Sequence, residues 1–128
     1  MTKEERRLFQ SVERGDRDAV ASFLAGGGDV EVRDRFGVGL PHRAAAAGDV
    51  EMLQLLFRHG ASVDAASEVG NTPLMLAAAN GHLKAIELLL AQGADPQRKN
   101  RWGYKAEAWA DWATEGKDIK AVLQSNEP

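Results

Sequence analysis

Metal binding and catalysis both need reactive side chains that converge, and this chain of 128 residues has few candidates. It has three histidines, His42, His59 and His82, and no cysteine. Metal-binding histidines usually recur with other ligands at short helical spacing, and no such pairing occurs here. Without thiols, disulfides and thiol nucleophiles are excluded. Ser11, Ser22, Ser62, Ser67 and Ser125 lie in no nucleophile-elbow motif. Gly26-Gly27-Gly28 lacks the Lys-Ser/Thr that completes a phosphate-binding loop and reads as a turn. Asp111 and Glu115, four apart on a predicted helix, could pair as acid and base, but a solvated face accounts for them more simply. The expectation is therefore no enzyme, no metal and no cofactor.

Recognition chemistry is more evident. From Arg98 to Lys105 the chain reads RKNRWGYK, with Arg98, Lys99, Arg101 and Lys105 around Trp102 and Tyr104 and no acidic residue. Trp112 follows on the next predicted helix. Trp and Tyr bury much area with few rotamers, so they dominate contact energetics wherever they meet a partner. The cations favour an acidic protein surface. They would also suit a nucleotide or nucleic acid, with bases on Trp102 or Tyr104 and phosphates on Lys99 or Arg101. The small patch and a net charge of −3 weigh against nucleic acid. The alternative is that the aromatics serve only to seal the end of a core.

The elements that position these residues are clearest from Gly70 to Gln97. Thr72-Pro73 opens a predicted helix, the threonine oxygen capping free N–H groups and the proline sitting where a missing N–H costs nothing. Leu74, Leu76, Ala77 and Ala78 form its buried side, and Asn80-Gly81 ends it. A second helix runs from about Leu83 to Ala91, with Ile86, Leu89 and Leu90 as its apolar stripe and Gly93 as its stop. Such a pair cannot bury both faces alone and needs neighbours of its own kind. They are present: Gly37, Gly70 and Gly103 stand 33 residues apart, as do Ala44 and Ala77, Gly48 and Gly81, Leu56 and Leu89, and Leu90 and Leu123. The phase reaches back through Gly15 and Leu24, so about four copies are expected: 4–33, 34–66, 67–99 and 100–124.

The motifs TPL, AAxxGH and LLxxGAD within this period resemble the ankyrin repeat. The resemblance implies an all-α solenoid of stacked helix-turn-helix pairs with hairpin-like loops projecting from one edge and little or no strand. It also implies a concave contact face, with the loop tips as fingers and the first helices as a palm. The finger positions include Arg35, Phe36 and Val38, then Val69 and Asn71, then Lys99, Arg101, Trp102 and Tyr104; the palm includes Asn80 and Trp112. Trp109 takes a core slot. His42 and His82 match structural histidines of the family.

Two departures stand out. The second copy has Gly39-Leu40-Pro41 where the third has Thr72-Pro73-Leu74, so it loses the threonine cap. It also has Arg43 at an apolar core position, filled by Leu76 in the third copy. A sealed, unpaired arginine would be very costly, so its head is expected to reach solvent or a carboxylate. No segment is long and apolar enough for a membrane span, and the N-terminus carries no secretory signal. The expected protein is soluble, cytoplasmic and monomeric. Its expected work is non-catalytic binding of a partner protein, as adaptor or inhibitor; a structural subunit of a larger complex is the further alternative.

Overall fold

The computed structural model describes residues 2–110 and 116–125. Eight helices appear among them: α1 (Lys3–Arg14), α2 (Arg17–Ala25), α3 (Leu40–Ala47), α4 (Val50–Arg58), α5 (Pro73–Ala79), α6 (Leu83–Ala91), α7 (Ala106–Trp109) and α8 (Gly116–Ser125). They form successive pairs. Each odd-numbered helix packs on the next odd one and each even helix on the next even one, giving two layers of stacked helices. The only β pairing among the described residues is one isolated bridge, Arg33 to Gly39, at the base of a loop.

Helix starts follow local chemistry. Thr2 and Glu5 cap α1 reciprocally, with the Glu5 N–H donating to Thr2 Oγ1 at 3.1 Å and the Thr2 N–H to Glu5 Oε1 at 2.8 Å. Asp16 and Asp49 open α2 and α4, each accepting an N–H three residues on at 3.1 Å. Thr72 caps α5, with Pro73 in its first turn. The lost threonine of the second repeat leaves α3 without a side-chain cap. Pro41 is accommodated in the first turn of α3, and the N–H of the capping residue Gly39 donates 3.0 Å to His42 Nδ1. The imidazole thus satisfies the N–H of the capping residue itself, the part that the Met75 sulfur plays for Thr72 in the third repeat.

The core lies between the layers. Leu40, Met52, Leu53, Leu56, Leu74, Met75, Ile86, Leu89 and Ile119 are fully buried. Ala44, Ala45, Ala77 and Ala78 are also buried, on the helices of the first layer. Burying one leucine such as Leu89 contributes roughly 1.5–3 kcal/mol, so the shared core supplies the stability that no single pair could. Arg43 keeps its stem and Nε buried, Nε without a hydrogen bond among the described residues, and turns its terminal nitrogens to carboxylates. Nη1 lies 3.5 Å from Glu13 on α1 and Nη2 3.3 Å from Asp34, with the side chain 41% exposed. It therefore bridges two repeats, with the head in reach of solvent as its misfit to a core slot requires.

Candidate functional site

Three loops precede α3, α5 and α7, and each is built by a short polar side chain at one phase of the repeat: Asp34, Ser67 and Asn100. One Asp34 carboxylate oxygen accepts the N–H groups of Phe36 at 2.8 Å and Val38 at 3.0 Å. Ser67 Oγ accepts from the Asn71 N–H at 3.2 Å. Asn100 Oδ1 accepts from Trp102 and Tyr104, each at 3.0 Å. These Asx-type and Ser-type turns fix the loop tips without a strand. Nothing in the apolar pattern pointed to these three residues. The signal available was their common 33-residue phase, three positions before each loop glycine.

The loop glycines let the fingers stack. Gly37 and Gly70 have φ of 75° and 84°, in the left-handed region. A Cβ added at Gly37 would come within 2.9 Å of the Glu68 nitrogen, and one at Gly70 within 3.0 Å of the Asn100 Cα. Across these gaps the backbones bond directly. The Glu68 N–H donates to the Phe36 carbonyl at 2.9 Å, and the Arg101 N–H to the Val69 carbonyl at 2.8 Å. Phe36, Val69 and Trp102 thereby hold equivalent positions on three linked fingers.

The geometry divides the sequence-predicted residues. Phe36, Trp102 and Tyr104 are 55%, 59% and 54% exposed, the large exposed hydrophobic residues among those described. The Arg35 guanidinium sits 5.0 Å from the centroid of the Phe36 ring, a cation–π contact. Lys99 and Arg101 are exposed beside Trp102, and Val38 and Val69 are half-buried. Asn71 is committed to packing: its Oδ1 accepts from Asn100 Nδ2 at 3.0 Å, and its carbonyl lies 2.9 Å from His42 Nε2. Asn80 is exposed at the far end of α5, its amide bonded to the Leu76 carbonyl at 2.9 Å, about 10 Å along the helix from the finger. Trp112 lies outside the described residues. Trp109 packs half-buried against the core, as its slot suggests.

The histidines are occupied with structure. His42 accepts from Gly39 through Nδ1, so its proton is on Nε2, which donates to the Asn71 carbonyl. Only the neutral ring can do both. Burial likewise holds the His42 pKa below its ordinary value, against the opposing effect of the Asn71 bond. His82 Nε2 lies 3.0 Å from the Ala46 carbonyl, joining the turns of adjacent repeats, and His59 Nδ1 lies 3.0 Å from the Leu55 carbonyl. Among the described residues no three His, Cys, Asp or Glu side chains gather as metal ligands, and no helix is long and apolar enough to cross a membrane.

Comparison with known proteins agrees with this architecture. A family model described as ankyrin repeats in three copies matches residues 8–100. The chain is 40% identical over 68 residues, 53% of its length, to human BCL-6 corepressor-like protein 1, and these amount to 4% of that protein. It is 37% identical over 98 residues, 73% of its length, to E3 ubiquitin-protein ligase XB3 of Oryza sativa subsp. japonica, covering 21% of it. It is 34% identical over 88 residues, 69% of its length, to human ankyrin repeat domain-containing protein 63, covering 22% of it. The chain thus spans less than a quarter of each of these relatives.

Proposed function

The chain belongs to the ankyrin repeat family, whose repeats are generally protein-interaction modules, and from that premise we propose that it is a non-catalytic binding protein whose fingers grip one partner protein. The observation that carries this is the placement of Phe36, Trp102 and Tyr104. The large hydrophobic side chains left in solvent among the described residues all stand on the fingers, while those of the helices are packed away. Aromatic rings on a surface are unfavourable until a partner covers them, and there they supply most of the binding energy. Arg35, Lys99 and Arg101 are exposed near the rings, and Val38 and Val69 are half-buried on the same fingers. Asn80 extends the contact surface along α5, and Trp112 is a further candidate by its place in the sequence alone. The protein works as a monomer in the cytoplasm, as adaptor or inhibitor.

The test begins with affinity purification of the partner and its identification by mass spectrometry. Titration then compares the natural chain with the double variant Trp102→Ala, Tyr104→Ala. Binding should weaken by at least about 2 kcal/mol, as hot-spot truncations do. The melting temperature should barely move, because both rings stand outside the core. Unchanged binding with lost stability would show that the rings only seal the last repeat.

A further inference from the structure

The spacing of the fingers identifies a position on the last one that the earlier two fill with backbone. Phe36 and Val69 each give their carbonyl to an N–H of the following finger, and Gly37 and Gly70 lie under that finger's main chain. Trp102 and Gly103 hold the same phase. Among the described residues no backbone N–H reaches the Trp102 carbonyl, and nothing lies within 4 Å of where a Cβ on Gly103 would stand. A cleft of about 430 Å³ opens beside them, lined by Lys99, Tyr104, Lys105, Glu107 and Lys120 around Gly103.

The earlier fingers show which backbone fits: an extended segment that donates an N–H and passes close over a glycine. The side chains show which charge fits. At the phases of Lys99, Lys105 and Lys120 the preceding repeat has Ala66, Thr72 and Glu87. Three lysines thus replace two uncharged residues and an acid, which suits the face to a negative ligand rather than to another copy of the same repeat. Among the described residues the acid of the cleft is Glu107, which accepts a hydrogen bond from Gln124 Nε2 at 2.8 Å. Lys105 Nζ donates to Gln97 Oε1 at 2.6 Å, which orients its ammonium and leaves it further donors.

We propose that this edge binds an extended acidic segment of the partner protein. The segment donates a backbone N–H to the Trp102 carbonyl, crosses Gly103 and sets its carboxylates beside Lys99 and Lys105. The segment takes the place that a following finger takes on the earlier repeats, with the main-chain bond giving register and the lysines giving selectivity. It rests on the reading that the fingers meet a protein and adds the conformation and charge of what they meet.

The probe is a fluorescein-labelled peptide of about eight residues alternating glutamate and valine, roughly the length of one strand. A lysine-valine counterpart and a glutamate-valine peptide with alternate amides N-methylated serve as controls, all read by fluorescence anisotropy on the full chain. The glutamate peptide should bind saturably and more weakly as salt rises, and the other two should not bind. Lys99→Glu with Lys105→Glu should weaken it at least about tenfold; if that pair lowers the melting temperature, Lys99→Gln with Lys105→Gln replaces it, with a smaller loss in the same direction. Equal binding of the lysine or N-methylated peptide, or indifference to both pairs of substitutions, overturns the proposal. So does a dimer in light scattering that the lysine substitutions dissolve, because the occupant is then a second copy. If the peptide fails while Trp102→Ala, Tyr104→Ala still abolishes partner binding, only this inference falls; if partner binding ignores both sets of variants, the finger reading falls with it.

Discussion

Replacing His42 by leucine should destabilise the protein through two hydrogen bonds and remove part of its acid sensitivity. The ring is fully buried; it accepts the N–H of Gly39, the residue before α3, and ties that turn to the next repeat. Leucine fills a comparable volume, so little cavity opens. The Gly39 N–H is then left buried without an acceptor, at a cost of about 1–3 kcal/mol, and the bond to the Asn71 carbonyl, worth about 1 kcal/mol, is lost. The expected loss is about 2–4 kcal/mol near pH 7, read by urea unfolding. Its pH dependence is the sharper signature. Burial, aided by the Arg33 charge and opposed by Asn71, Ala65 and Asp34, holds the folded-state pKa below the ordinary 6.5. The unfolded chain therefore takes up a proton first as pH falls, and stability declines where the unfolded state binds more protons. The contribution is complete above 6.5 and is lost as pH falls through the lowered folded-state value. The leucine variant lacks this titration, so the gap between the two proteins should narrow between about pH 7.5 and pH 5. A gap that stays constant, or widens toward acid, would refute the assignment of a neutral, doubly bonded imidazole.

Three further substitutions separate core from surface. Leu89→Ala should cost about 2–5 kcal/mol in chemical denaturation, since Leu89 is wholly buried between repeats. Asn100→Ala should cost about 1–2 kcal/mol by removing the acceptor for the Trp102 and Tyr104 N–H groups, and should broaden the amide resonances of that finger in NMR spectra. Arg43→Leu should change stability by less than about 1 kcal/mol, because its ion pairs with Glu13 and Asp34 are partly exposed and screened; a sharp fall in melting temperature would make Arg43 a structural member of a polar network instead.

The helix pairs were legible because they obey strong local rules. Thr72-Pro73 starts a helix, Ile86 and Leu89 share one apolar stripe, and a fixed phase repeats the pattern until a stacked core is the only way to bury it. Arg43 was legible for the same reason, as a charge in an apolar slot that must find a way out. The double hydrogen bonding of His42 was not. His42 could be matched to a structural histidine, but its bond back to Gly39 depends on a side-chain rotamer and tautomer that no spacing encodes. The fingers were partly legible. Trp102 and Tyr104 flank the phase glycine, which foretells exposure, whereas the engagement of Asn71 depends on Asn100 from the following repeat. Contacts between repeats are set by three-dimensional stacking, and short polar residues such as Asp34, Ser67 and Asn100 give no hydrophobic period to follow.

Amide hydrogen exchange, measured with and without the captured partner, tests the central claim most directly. If the fingers are the contact surface, partner binding should slow exchange at residues 35–38 and 99–105, and leave the backs of α4 and α6 unchanged. Protection confined to α4 and α6, with the amides around Phe36, Trp102 and Tyr104 exchanging as before, would contradict it.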